Sequence, residues 1–540
     1  MRIVLVFPPK ASATYVPIGI ASLAPYIEMS VPDASVALLD LNIETWHHLA
    51  KNDPRGRDLI EFVHGRAGDF LDHGETLHHK IVWDSLRKRM GEYADQARCY
   101  AETGETGDGY ARVLAAQVES ILASDPELVG FSVLFPEQFP FAAAMARAVK
   151  HALASRLSRA GSRCRVVMGG AAVSALSVND LLAACSYVDG VVVGEGEQAA
   201  AALCSGVDWA AVPGLVYRGT SGVVTNPKTQ TLSLRSLPPP DFTRLPLDDY
   251  FNPVPVLPVL FSRGCSWRRC RFCAHNFAFA GHRKKDVEAF VDELEGYYTR
   301  LGVRYIYSAD EFIAPPDMDA IANAIKSRGL DISYHVLGKP IQEYTLDSMA
   351  LWASAGCRWI GWGVESGSQR LLDLINKGTD VRVIERVIKE SAEAGISNLP
   401  MMIFGLPTSS DQDLYETLGF LERIYGSMSA MSASAFVLFE GTYFARNARQ
   451  SGMHVDGPQE LLRVDGVPVR SRRLKFREIS DDGSLRAPRG SIEVSAWMQH
   501  RRWLGDVPLL EQLPCEHYLI HVSGGRGIGL KPLVPPARAA

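Results

Sequence analysis

The sequence predicts an α/β protein made of two successive parallel sheets, the first doubly wound and the second a partial (β/α)6 barrel, followed by a small α+β region. Three observations carry this. Short β-branched runs alternate with helical stretches over residues 1–200, the alternation restarts at about 255, and it ends near 440. Strands separated by helices in this way favour parallel sheets.

In the first unit, strands are expected at Ile3–Phe7, Val36–Leu41, Leu128–Phe135, Arg165–Met168 and Val188–Val193, with helices at Ile18–Met29 and Phe139–Leu157. Their ends carry Pro8-Pro9, Gly169-Gly170 and Gly194-Glu195-Gly196-Glu197. Ligands of doubly wound sheets bind at the carboxyl ends of the strands. Residues 43–123 are too long for a simple connection and read as a helical insertion. They hold Trp46, Trp83 and His47, His48, His64, His73, His78 and His79, which are expected to serve packing and surface roles. The first unit is therefore expected to span 1–205.

Residues 206–254 read as a linker. Pro238-Pro239-Pro240 and Leu245-Pro246 interrupt regular structure, and a small hairpin is expected around Gly219–Gly222. The barrel is expected over 255–440. Its strands fall at Val256–Phe261, Arg304–Tyr307, Ile332–Leu337, Trp359–Val364, Leu399–Phe404 and Ser434–Phe439. Asp286–Leu301 has apolar residues at helical spacing. Barrel chemistry sits at the C-terminal mouth. The tail, 441–540, carries the basic run Arg470–Arg477 and a Pro-rich end, and is a candidate to cap the substrate. Within it, Cys515, His517 and His521 are candidates to close the pocket or act on the substrate.

Over 540 residues, 47% hydrophobic and 22% charged, the composition is that of a globular protein with a sizeable core. The formal net charge is −5, and no long Lys/Arg field points to nucleic acid. No run of 18 apolar residues predicts a membrane span. Met1–Pro9 lacks the long apolar stretch of a signal peptide and reads as a buried strand. A cytoplasmic protein is expected.

Of nine cysteines, six are scattered and three cluster as Cys265, Cys270 and Cys273. Clustered thiols in such a protein point to metal or catalysis rather than disulfides. Three thiolates can hold three irons of a four-iron cluster and leave the fourth open to a small molecule. The alternative is a structural zinc completed by His275 or His282. Structural zinc sites are closed and four-coordinate, and no second paired-cysteine knuckle is present.

A strand followed by Arg263-Gly264-Cys265 and Cys270-Arg271-Phe272-Cys273 resembles the radical S-adenosylmethionine (SAM) superfamily. The family's usual spacing is three residues then two; here it is four then two. Ser308-Ala309-Asp310-Glu311, Gly363-Val364-Glu365-Ser366-Gly367-Ser368-Gln369 with Lys377-Gly378, and Phe404-Gly405-Leu406-Pro407 also match it in order. The resemblance implies a [4Fe–4S] cluster on the three cysteines. It implies SAM contacts from Phe272, Ser308, Glu311, Glu365 and Gly405.

The N-terminal turns resemble the cobalamin-binding domain found ahead of many such barrels. By that resemblance Pro17, Gly19, Ser132, Gly169, Gly170, Gly194, Glu195, Gly196 and Glu197 would meet cobalamin. None of the 14 histidines has Asp two residues before it, so the Asp-x-His-x-x-Gly cobalt-ligand motif is absent. No Gly-x-Gly-x-x-Gly follows the first strand either.

Together these features resemble the cobalamin-dependent class B radical SAM methyltransferases. The resemblance implies methyl transfer to an unactivated carbon, or phosphorus, of a natural product or peptide through a 5′-deoxyadenosyl radical. It also implies an electron donor such as flavodoxin or ferredoxin, and neither nucleic acid nor membrane as partner. A non-methylating rearrangement, cyclisation or oxidation is the alternative chemistry, and a non-catalytic B12 or iron–sulfur sensor is the alternative class. A methylthiotransferase is disfavoured because no second N-terminal cysteine trio exists. No acid or base residue is assigned.

Overall fold

The computed structural model describes residues 1–65, 73–156, 164–228, 231–275, 281–480, 482–504 and 514–524. They form two compact units, one within residues 1–253 together with 458–472, the other within 254–457 and from 473 onward.

The first unit is a seven-stranded sheet. Its strands are β1 (Arg2–Phe7), β2 (Ser35–Asp40), β3 (Leu128–Ser132), β4 (Arg165–Gly169), β5 (Gly190–Val192), β6 (Leu215–Gly219) and β7 (Gly222–Thr225). The order is β2-β1-β3-β4-β5-β6-β7. The first five pair in parallel, with Val4 opposite both Ala37 and Val129, and Phe131 opposite Met168. Ile3–Phe7 is buried without alternation, as expected for a strand covered on both faces. β3 stops at Ser132, short of the expected Phe135, because Pro136 opens a short 3-10 helix.

The stretch read as a linker carries the hairpin at the expected place, but the hairpin belongs to the sheet. β6 pairs antiparallel with β5 through Val191 and Val216, and β7 with β6. The sequence signal was weak because β7 is exposed along its length.

The 43–123 stretch is helical at Leu41–Lys51, Pro54–Gly65, His73–Thr103 and Asp108–Leu122. Trp46 stacks on Trp83 at 5.8 Å and donates its indole N–H to Ala11 O at 2.9 Å. His47 bonds Asp249 O at 2.8 Å, and His79 stacks on Phe62 at 3.9 Å. These are packing roles; the side chains of His73 and His78 lie outside the described residues. Asp40 caps the first of these helices. Its Oδ1 accepts from Asn42 N and Ile43 N, and its Oδ2 from Tyr250 OH at 2.7 Å. Arg470 pairs with Asp180 at 2.6 Å.

The second unit is a six-stranded parallel half-barrel: β8 (Val256–Val259), β11 (Tyr305–Ser308), β12 (Ser333–Gly338), β13 (Cys357–Glu365), β14 (Ser397–Phe404) and β15 (Ser432–Ala435), with the short β9 (Ser262–Arg263) and β10 (Arg283–Lys284) pairing antiparallel beside it. The sheet runs β15-β14-β13-β12-β11-β8. Helices Val287–Leu301, Pro315–Ser327, Leu346–Ser354, Val381–Glu393 and Asp411–Ile424 follow successive strands. The expected strand Ser434–Phe439 divides in two. Its first half is β15, and its second half, β16 (Leu438–Phe439), pairs antiparallel in another sheet.

That second sheet contains β17 (Met453–Val464), β18 (Val467–Ile479) and β19 (Leu485–Arg486), and helices Gly490–Leu504 and Cys515–Val522 complete the α+β region. Tyr518 meets the edge of Trp359 at 5.2 Å, so His517 and His521 are buried while Cys515 is exposed. The Pro-rich end lies outside the described residues. Among the described residues, no helix is long and apolar enough to cross a membrane.

Burial raises the Asp40 carboxyl to about 7, against hydrogen bonds from Tyr250, Ile43 and Asn42 that lower it. A carboxyl that titrates higher folded than unfolded stabilises the fold while protonated. This contribution is complete below about pH 4, the unfolded value, and is lost as pH rises through about 7. Urea unfolding of the wild type and Asp40→Asn should show the wild-type advantage shrinking by roughly 1 kcal/mol per pH unit between about pH 5 and 7. A pH-independent difference would contradict this role.

Candidate active site

The cysteine loop leaves the half-barrel at the end of β8 and has no ladder of its own. Its base is fixed by one carboxylate. Buried Asp310 accepts from Phe261 N at 3.0 Å, Ser262 N at 2.5 Å, Ser262 Oγ at 2.6 Å and Ser308 Oγ at 2.9 Å. Ala309 N adds a bond to Val259 O at 2.8 Å. The return of the loop is held by β9 against β10 and by Lys285 N to Phe261 O at 2.9 Å.

The middle of the loop is tied to the turn after β13. Trp267 Nε1 donates to Asn376 O at 3.0 Å, and Asn376 Nδ2 returns a bond to Arg269 O at 3.1 Å. Arg271 donates from its backbone to Ile375 O and from its side chain to Leu374 O, each at 2.9 Å. The Trp267 ring lies where any side chain at Gly378 would sit, since a Cβ there would be 2.1 Å from it. Between Cys265 and Cys270, Arg268 takes the left-handed conformation at φ 50°, rare without glycine.

All three cysteines are half-buried and none is in a disulfide. Among the described residues, no three His, Cys, Asp or Glu side chains converge on a single ion. His275, the candidate fourth zinc ligand, has Nδ1 at 2.7 Å from Glu311 Oε1. The donor set fits a cluster held at three corners.

Beside the loop, β13 ends in a strained residue. Glu365 has φ 69°, and the β13–β14 register shifts between Gly363 and Glu365. Its Oε1 accepts from Lys377 Nζ at 2.6 Å, and both side chains are buried. A Cβ at Gly363 would come within 2.8 Å of that ammonium. Burial raises the Cys270 thiol, while Lys377 and, more weakly, Lys339 lower it. Burial would depress Lys377, but Glu365 and the neighbouring cysteines raise it above its ordinary value. Cys265, Cys270, Glu365 and Lys377 therefore share one electrostatic environment.

The remaining sequence candidates stand as follows. Phe272 is half-buried between its cysteines. Ser308 commits its hydroxyl to Asp310, and Glu311 faces His275. Gly405, at φ 68°, donates its N–H to Glu493 Oε2 at 2.7 Å, and Gly490 occupies the space its Cβ would need. The loop Ser366–Ser368 is anchored by Ser368 Oγ to Asp413 at 2.7 Å. Sequence reasoning missed Asp310 as the buckle of the loop, the Trp267–Asn376 clamp, Lys339 and Glu493. Only the Lys377-Gly378 pair carried a local signal.

In the first unit, a small apolar pocket of ≈ 70 Å³ opens between β3, β4 and helix Glu197–Cys204. Ser132, Gly169, Gly170 and Gly196 line it, with Gly130 and Ala200. Gly170 sits at φ 100°, where a Cβ would lie 2.4 Å from Val133 O, so only glycine fits. Pro17, Gly19, Gly194, Glu195 and Glu197 are not among the lining residues. Gly19 is close to the group, since its Cβ would be 3.3 Å from Ser132 Oγ. Glu197 is buried in the first turn of its helix. Leu5, Leu23, Leu128, Phe131, Met168 and Leu203 complete its apolar wall.

Comparison with known proteins agrees with both halves. The family described as the radical SAM superfamily matches residues 259–421, and the B12 binding domain matches residues 108–204. An uncharacterized methyltransferase of Pyrococcus horikoshii, PH0819, is 29% identical over 269 residues, 48% of this chain and 58% of the relative. The chain thus spans under three fifths of that relative's length.

Among solved structures, the cobalamin-dependent SAM radical enzyme OxsB with aqua-cobalamin bound aligns at TM-score 0.63 and 16% identity, over 93% of this chain and 67% of that one. The radical SAM methyltransferase TsrM of Kitasatospora setae, with tryptophan substrate and a SAM analogue, aligns at TM-score 0.61 and 17% identity, over 98% and 96%. Both likenesses concern the fold. With the cysteine loop at the strand ends and a glycine-lined pocket among the B12-matching residues, the chain carries a radical SAM domain and a B12 binding domain, which imply a [4Fe–4S] cluster, SAM and cobalamin as cofactors.

Proposed function

We propose that this enzyme is a cobalamin-dependent radical SAM methyltransferase, adding a methyl group to an unactivated carbon, or phosphorus, of a natural-product or peptide substrate. The observation that carries the reading is the open three-thiolate loop, pinned at the mouth of the half-barrel beside the Glu365–Lys377 pair. The name of the Pyrococcus relative supports methyl transfer. When bound, the cofactors supply reductive cleavage of SAM to a 5′-deoxyadenosyl radical and carriage of the methyl group.

The residues of the chain supply position and polarity. Cys265, Cys270 and Cys273 hold three irons. Glu365 uses Oε1 for Lys377, while Oε2 has no hydrogen bond among the described residues and is offered to the amino group or ribose of SAM. Glu311 and the backbone of Ser308 flank the amino group. Phe272 and the Gly405 turn border the adenine. Ser132, Gly169, Gly170 and Gly196 receive the cobalamin tail, and Pro17, Gly19, Gly194, Glu195 and Glu197 are its further contacts. A low-potential flavodoxin or ferredoxin supplies electrons in a cytoplasmic setting.

Anaerobically purified protein should be brown with about four irons per chain, and Cys270→Ala should lose that iron. Bound zinc in place of iron would overturn the reading. Hydroxocobalamin should co-elute with the wild type at about one per chain. Ala200→Phe, which fills the ≈ 70 Å³ pocket, should abolish co-elution and leave the iron content unchanged. Co-elution that survives the substitution would remove the pocket from cobalamin binding.

A further inference from the structure

Two lysines lie beside the cysteine loop, and they are not equivalent. Lys377 and Lys339 are 6% and 7% exposed. Both are near enough to Cys270 and Cys265 to sense their charge. Lys377 is neutralised by Glu365 at 2.6 Å. Lys339, at the end of β12, has no carboxylate at ion-pair distance among the described residues. Its ammonium donates to Gly378 O at 2.9 Å and lies 3.9 Å from the centre of the Trp267 ring. That ring belongs to the cysteine loop itself. Burying an ammonium without a counter-ion is costly, and a carbonyl and a π-face offset only part of the cost. Such a charge persists where something negative resides next to it.

The cluster is that negative group. With three thiolates it carries about one negative charge oxidised and about two reduced, since one electron enters and no proton need follow. A dry, fixed cation beside it favours the reduced form, because buried charges are weakly screened. We propose that Lys339 is a positioning residue that sets the reduction potential of the cluster, with Trp267 as the lid that keeps its charge dry and fixed against the loop. The inference rests on the cluster reading above. It assigns the incoming electron to a low-potential donor of the flavodoxin or ferredoxin class.

The test is an EPR-monitored redox titration of the full-length, anaerobically reconstituted protein without SAM, using dithionite. Lys339→Met removes the charge. Lys339→Gln removes the charge but keeps a donor for Gly378 O. Lys339→Arg keeps the charge. The midpoint potential should fall in the Met and Gln variants and stay near wild type in Lys339→Arg, at equal iron content. A purely structural role would be rescued by Gln, and a wild-type potential in Lys339→Gln would overturn the proposal. Failure of both neutral variants to fold and load iron would also overturn it, by assigning Lys339 to the scaffold. Absence of a [4Fe–4S] signal in the wild type would instead contradict the proposed function.

Discussion

The structure depends on holding an irregular loop still. Three thiols within nine residues cannot form a ladder, so their positions are set by what the loop is tied to. Asp310, just past β11, ties its base there through three hydrogen bonds, from Phe261 N, Ser262 N and Ser262 Oγ. The turn 374–378 ties its middle to the end of β13 through four more. The first anchor sits at the carboxyl end of a parallel strand, the usual place for barrel chemistry. With both anchors, the loop can present three corners and leave the fourth open.

The same strand ends carry the charges. Glu365 is held in a left-handed conformation by the register shift of β13, and the strain places its carboxylate over Gly363, where no side chain intrudes. Lys377 enters from the turn that also clamps the cysteine loop. Position and electrostatics are therefore coupled through one short segment. Change at 374–378 reaches both the cysteine loop and Glu365.

Much of this was legible in the sequence, and the reasons are physical. Strand–helix alternation revealed both parallel sheets because buried parallel strands need continuous apolar runs. Arg263-Gly264-Cys265 and Glu365 were visible because their chemistry is rare at a strand end. Other features lacked a local signature. Asp310 lay within the Ser308–Glu311 motif without a role of its own, but a buried carboxylate bonded to two backbone amides is a structural buckle, and its partners lie 48 and 49 residues away. Glu493 reaches the Gly405 turn across 88 residues. Lys339 gave no pattern, because a lone lysine before proline reads as surface until its burial is seen. The β6–β7 hairpin was expected, but not its joining of the sheet, since its outer strand is exposed and lacks the alternation that marks a half-buried edge. In the B12 domain, glycines at strand ends were readable, whereas the apolar wall from helix Glu197–Cys204 was not.

The central claim is that the three thiolates leave one iron vertex vacant for the amino and carboxylate groups of SAM. The most direct measurement is electron–nuclear double resonance on the reduced protein with SAM labelled with nitrogen-15 at its amino group. The account predicts a nitrogen coupling to the cluster that appears only with SAM. A reduced [4Fe–4S] spectrum identical with and without labelled SAM would contradict it.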